Sequence, residues 1–417
     1  SNKMKEQIIN NLDNPKELEK LYRENKTVFK KEFNSIYPEI KAKIIAQIWN
    51  ARLNFENEEI SFGSNNELLI VIIASFIAGV IAKLPQFIGI TPEYFYPRNI
   101  AFVVFPLLIA YFAWKQKDNK KTLVTALVVV SVSILFINVL PKSDTSDTLI
   151  LACIHLPLFL WAVLGFTYLG EDLKSSQGRM DFLRYNGDLV VMTAIILIAG
   201  GLMAGITLGL FRLIEIQVEE FYFQYIGIWG LAASPIVATY LVQTNPHLVN
   251  KVSPVIAKVF TPLVLITLLI YLIALIYTGK DPYNDREFLL IFNMLLLGVM
   301  AIIFFLIAET SKNSDSKINT VMLLGLSIVT IIINGIALSA ILFRISEWGI
   351  TPNRLAVLGP NILILTNLFL VTYWLFKAVK DNTGIDKVGN SIALFLPIYS
   401  LWTVLVTFVF PIIFNFK

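Results

Sequence analysis

A chain of 417 residues that is 56% hydrophobic and only 15% charged lies far from soluble proteins, in which about a quarter of residues are charged. Its formal charge of +4 is small for that length, and its lysines and arginines gather near the N-terminus and in short polar connections rather than along an aromatic-studded face. Nucleic acid is therefore excluded as a partner, and the composition calls for an all-α, polytopic membrane helix bundle preceded by a small soluble helical region.

That region covers residues 4–60. Ile8, Ile9, Leu12, Leu18 and Leu21 recur at helical spacing and predict two to four short helices. Asn14-Pro15 suits a helix start, while Tyr37-Pro38 predicts a break that releases a further helix from Pro38 to Leu53. The opening residues are polar rather than basic and then apolar, so no cleavable signal peptide is expected. Interspersed charges read as a solvated cap on the membrane face or as a module that docks a cytoplasmic protein partner.

Eleven apolar runs follow, and a bilayer crossing needs about 20 residues. They are Leu68–Leu84, Ile100–Trp114, Thr122–Leu140, Thr148–Leu169, Val190–Leu210, Tyr222–Leu241, Val259–Tyr277, Phe288–Ile307, Val321–Phe343, Leu355–Phe376 and Ile392–Phe414. The second is short and interrupted by Pro106. Connections on the N-terminal side hold fourteen Lys and Arg against eight opposite, which predicts a cytoplasmic N-terminus. Gly201, Gly205 and Gly209 form a small-residue stripe in the fifth run. Such a stripe admits a close helix neighbour, either the sixth run with Gly227 and Gly230 or a second copy in a homodimer.

Between the ninth and tenth runs lies a dense polar island, Arg-Ile-Ser-Glu-Trp-Gly-Ile-Thr-Pro-Asn-Arg, from Arg344 to Arg354. Gly349 can take the left-handed conformation that ends a helix. Thr351 can cap the next helix, with Pro352 at its first position. Arg344, Glu347 and Trp348 share a face by i, i+3, i+4 spacing. Arg354, next to a positive helix N-terminus, calls for an anion. The plain alternative is a structural turn, ion-paired at the membrane surface.

By the same topology Asn138, His155, Gln224, Asn293 and Asn361 fall in the half of the membrane nearest this island. Arg212, Glu215, Glu219 and Glu220 follow the fifth run on that side too. Unpaired polar groups in hydrocarbon cost several kcal/mol each, so together they predict an outward-facing polar cavity, although Arg212 to Glu220 also reads as a solvated helix extension. Asn334 and Asn367 lie nearer mid-membrane and should bond across helices. His155 reads as bonded to a neighbouring helix or as a proton carrier, and Cys153 as filler.

The island resembles the signature of a bacterial integral-membrane family, domain-of-unknown-function family 4153, in which Arg-Ile-x-Glu-aromatic-Gly-x-Thr-x-Asn-Arg joins two late membrane helices. Phe182 to Asp188, Phe-Leu-Arg-Tyr-Asn-Gly-Asp, resembles a second feature of that family at the start of a middle helix. The resemblance implies a polytopic fold over about residues 65–417 and no particular chemistry.

The sequence has no phosphate loop, no Gly-x-Ser-x-Gly elbow and no His-Glu-x-x-His. No cofactor or metal is expected, and no catalytic residue is assigned. The leading expectation is a multi-pass protein of the bacterial inner membrane, contacting lipids and transporter- or permease-like, with a small anionic or amphipathic ligand in an external-side cavity. Arg344 and Arg354 would contact the anion and Glu347 would order them. Asn353, Arg212, Glu215, Glu219 and His155 are further ligand-binding candidates. Two other classes stay open: an enzyme acting on a lipid-linked phosphate, with Glu215 or Glu219 as base, and a scaffold or sensor working through residues 4–60.

Overall fold

The computed structural model describes residues 2–24, 26–55, 63–116, 120–141, 146–213, 217–246, 248, 261–266, 268–270, 272–273, 276–277, 281, 283–284, 286–310, 317–381 and 385–416. The chain divides into two compact units, Ser1–Ser61 and Phe62–Lys417.

Four helices build the first unit: α1 (Asn2–Asn10), α2 (Pro15–Glu24), α3 (Lys26–Ile40) and α4 (Ile44–Phe55). Asn14 Oδ1 accepts from the Glu17 amide at 3.4 Å, so Asn14 caps α2 and Pro15 takes its first position. Ile8, Leu18, Phe29, Phe33, Trp49 and Leu53 close one core. Arg52 lies over the rings of Tyr22 and Trp49 and pairs with Glu19 at 2.8 Å, which ties α4 to α2. The helix break comes later than Tyr37-Pro38. Proline obstructs the turn that precedes it, and α3 tolerates this so near its end that it runs two residues past Pro38; the last helix then starts at Ile44.

Among the described residues of the second unit, nine helical segments are long and apolar enough to cross a membrane. The first is α5 (Asn65–Ile88), capped by Ser64 and ended by Gly89 in the left-handed conformation at φ +70°. The second, Pro92–Lys115, is broken into α6 (Pro92–Asn99), a 3-10 turn (Ile100–Val103) and α7 (Phe105–Lys115). Pro106 stands in the first turn of α7, where its missing N–H costs nothing, so the segment begins eight residues before the expected Ile100. Next come α8 (Lys120–Val139), α9 (Asp147–Leu169) and the long α10 (Ser176–Leu213).

The sixth segment joins α11 (Glu219–Phe221), a π-helical turn (Tyr222–Gly227) and α12 (Ile228–Thr244). Two shorter apolar helices, Thr261–Ile270 and Leu296–Ala308, fall where the seventh and eighth spans are expected, the latter within α13 (Arg286–Thr310). The last three segments are α14 (Lys317–Trp348), α15 (Pro352–Asp381) and Ile385–Ile413. That final one is α16 (Ile385–Val404), a π-helical turn (Leu405–Val409) and α17 (Phe410–Ile413).

Side-chain ties join the ends of several segments in a pattern consistent with alternating direction. At the face where α5 begins, here the near face, Lys115 pairs with Glu67, Gln116 bonds the Tyr168 carbonyl, and Arg179 bonds that of Ala393. At the far face Lys83 meets Gln224, Arg98 meets the end of α8, and Ser146 bonds the Phe416 carbonyl.

Two apolar cores run side by side. One gathers α5, α7, α8, α9 and α12; the other gathers α13 to α16. The near-face part of α10 serves both, with Phe182 and Tyr185 in the first and Met180 and Leu183 in the second. A Cβ at Gly187 of α10 would collide with the Phe305 ring, so this glycine sets the approach of α13. The expected glycine stripe behaves differently. Among the described residues nothing lies within 4 Å of a Cβ built on Gly201 or Gly205, so no described helix, the sixth segment included, packs closely on that stretch. The surroundings of Gly209 lie outside the described residues.

Candidate functional site

The near-face end of α10 carries Gln177, Asp181 and Arg184, spaced i, i+4, i+7 along one face. Arg184 Nη1 donates to Asp181 Oδ1 at 2.5 Å and Nη2 to the Ala308 carbonyl at 3.0 Å, which fixes the guanidinium between α10 and α13. Gln177 donates to the same Asp181 oxygen at 3.1 Å. Arg179 reaches the Ala393 carbonyl at 2.9 Å and so ties α10 to α16.

Between α10 and the first turns of α16 opens a pocket of about 480 Å³, lined by Gln177, Met180, Asp181, Arg184, Asp386, Gly389 and Asn390. Its size is within the range of small-molecule sites. Asp386 sits in the first turn of α16, where the helix dipole favours a carboxylate. Among the described residues it makes no ion pair. Asp181 is 41% exposed along its side chain while Arg184 is 12% exposed. The lining thus holds two carboxylates, one anchored guanidinium and two amides. Such a wall can take an ammonium on the carboxylates, Asp386 above all, and leave the Asn390 amide for an oxygen acceptor. Among the described residues no group of His, Cys, Asp and Glu is arranged to hold a metal.

None of the sequence-predicted ligand residues lines this pocket. The signal that could have found it is the polar stripe Gln177, Asp181, Arg184. It overlaps Phe182 to Asp188, which lies inside α10 rather than at its start.

The far-face candidates form a turn. Gly349 has φ +76°, and Thr351 Oγ1 accepts from the Arg354 amide at 3.3 Å. Arg354 folds back on the helix it follows, donating from Nη1 to the carbonyls of Trp348 at 2.7 Å and Gly349 at 2.6 Å. Its guanidinium closes the C-terminus of α14, whose negative dipole end supplies the partner that the arginine needs. Arg344 lies 5.0 Å and Arg354 5.8 Å from the Trp348 ring, on which both stack, and Arg344 also reaches the Tyr283 carbonyl at 3.4 Å. Glu347 is exposed and makes no ion pair among the described residues, and Asn353 is half-buried.

The remaining candidates lie apart. His155 is 9% exposed and its Nδ1 meets the carbonyl of Leu151 in its own helix at 2.9 Å, not a neighbouring helix. Glu219 opens α11. The Arg212 side chain and Glu215 lie outside the described residues, so their relation to the island does too. Asn138 pairs reciprocally with Asn99 at 2.8 and 2.9 Å, Asn361 with Asn293 at 2.6 Å, and Asn367 with the Tyr399 hydroxyl at 3.1 Å. Asn334, fully buried, has no hydrogen-bond partner among the described residues. No family model, no curated protein and no solved structure matches the chain.

Proposed function

We propose that the chain is a permease-class protein that takes up a small zwitterionic or amine-bearing solute in the pocket between α10 and α16. One observation carries the reading: the pocket opens on Met180, Asp181 and Arg184, in the stretch of α10 that both apolar cores share. Carriers of this kind bind solute where two parts of the bundle meet, so that one part can rock against the other. A ligand ammonium on Asp386, with Asp181 beside it, and a ligand carboxylate or hydroxyl toward the Asn390 amide would match the groups present.

This reading moves the ligand from the far face, where an anion was expected, to the near face. Nη1 of Arg354 already serves two backbone carbonyls there, and the guanidinium lies over the Trp348 ring. The positive-inside count supports a cytoplasmic near face, and a bacterial inner-membrane protein oriented this way would have its pocket open inward.

Thermal unfolding of the detergent-purified chain across amino acids, polyamines and simple carboxylates tests the reading. A ligand at 100 times its dissociation constant adds about 2.7 kcal/mol. We expect amine-bearing compounds to raise the midpoint of the wild type and to lose that effect in Asp386→Asn. Stabilisation by simple carboxylates alone, or an equal response in Asp386→Asn, would overturn it.

A further inference from the structure

At the opposite end of the bundle a second charge stands without a counter-charge among the described residues. Lys83 of α5 is 1% exposed, one of the largest fully buried side chains in the chain. Its Nζ donates to Gln224 Oε1 at 3.0 Å and lies 4.7 Å from the centre of the Tyr225 ring. Gln86, one turn further along α5, donates to the same Gln224 oxygen at 3.0 Å. Two donors thus share one neutral acceptor. An ammonium carries three N–H donors, and among the described residues no carboxylate pairs with this one.

Two other cations of the bundle, one exposed and one buried, are answered. Lys115, exposed at the near face, lies 3.4 Å from the Glu67 carboxylate. Arg98, 4% exposed, donates to the carbonyls of Ile137, Leu140 and Pro141 at 2.6 to 3.2 Å. A buried ion without such compensation costs several kcal/mol, and an ionisable group inside a membrane span is by default part of a ligand or ion path.

The partner of Lys83 is also unusual in backbone. Gln224 and Tyr225 lie in the π-helical turn Tyr222–Gly227. Such turns are rare and concentrate at functional sites because the wider loop re-aims side chains. This one aims Gln224 at Lys83 and Gln86 together.

We infer that Lys83, Gln224 and Gln86 form a far-face site for an oxyanion, a carboxylate or a phosphate. The Lys83 ammonium supplies the charge, and the side-chain amides of Gln224 and Gln86 supply neutral donors to the remaining oxygens. Lys83 is five residues from the end of α5, about 7.5 Å along the axis, a depth that a lipid headgroup phosphate and a small soluble anion both reach. The site is separate from the near-face pocket and does not depend on it.

The test is thermal unfolding of the full chain in maltoside detergent, titrated in one arm with inorganic phosphate and succinate and in the other with micelles doped with phosphatidylglycerol or phosphatidylcholine. Lys83→Met and Gln224→Glu are compared with the wild type. A saturable stabilisation by the soluble anions identifies a small solute; stabilisation by the lipids alone identifies a headgroup. In either case Lys83→Met should weaken the apparent affinity at least tenfold. Gln224→Glu, which builds a carboxylate against Nζ, should abolish the response while the protein stays folded. The inference is overturned if no oxyanion stabilises the wild type, or if Gln224→Glu responds as the wild type does, whatever the yield of Lys83→Met.

Discussion

Two of the cationic places at the far face differ in what answers the charge. At the Arg344–Arg354 turn the positive groups are met from within: Arg354 closes the carbonyl end of α14, and both guanidiniums lie over the Trp348 ring. At Lys83 the only polar acceptor among the described residues is one shared amide oxygen. Charge density in the sequence is higher at the turn, yet the unmet demand is greater at the single lysine. An arginine beside a helix end finds carbonyls with nothing else to bond, whereas a lysine in the body of a helix pair finds a backbone whose groups already pair with one another.

The sharpest way to break this contrast is at Arg98, whose guanidinium binds three carbonyls at the end of α8. Arg98→Met should cost more than about 3 kcal/mol, since each carbonyl bond to a charged group contributes about 1.5 kcal/mol or more; an unchanged midpoint would deny the capping role. Arg354→Ala should cost about 1–2 kcal/mol, because it uncovers two carbonyls at the membrane surface, and Arg344→Ala less than about 1 kcal/mol. Equal losses at the two positions would show that the stacking on Trp348, not the cap, holds the turn.

A smaller effect belongs to the first unit. Arg23 and Arg52 hold the Glu19 carboxyl below its ordinary value of 4.5, against a weaker opposing effect of burial. A depressed carboxyl favours the folded state above its unfolded value and loses that contribution as pH falls through the folded one. The tie between α2 and α4 should therefore loosen below pH 4.5. Amide hydrogen exchange of α2 and α4 in the full chain should show the loss on going from pH 6 to pH 4, and Glu19→Gln should abolish the difference. The smallest effect is expected at Lys83 itself. Without an anion, Lys83→Met should leave stability within about 0.5 kcal/mol of the wild type or raise it, since an apolar group of similar size relieves an uncompensated charge; a loss like that of Arg98→Met would mean that the lysine is already answered.

The helical fold and the far-face turn were legible because their causes are local. Apolar run length, Gly349, Thr351 and Pro352 each act within a few residues of chain. The break after Pro38 was misplaced by a few residues because the cost of a proline depends on where the helix would have ended anyway. Partnerships across the bundle were not legible. That Arg354 folds back on carbonyls, that Gly187 rather than Gly201 admits a neighbouring helix, and that Gln224 turns toward Lys83 all depend on contacts the sequence does not spell out. Asp386 and Arg184 are 202 positions apart, and nothing in either neighbourhood announces a shared pocket.

The most direct measurement of the central claim is solute flux into proteoliposomes with the pocket locked. Gln177→Cys and Asn390→Cys place one thiol on each wall, and Cys153, the single native cysteine, is replaced by alanine to remove background. A short bis-maleimide then bridges α10 to α16. The account predicts that the unbridged protein moves radiolabelled amino acids or polyamines and that bridging stops the flux while the protein stays folded. Flux that continues through the bridged protein, or an unbridged protein that moves none of these solutes, would contradict it.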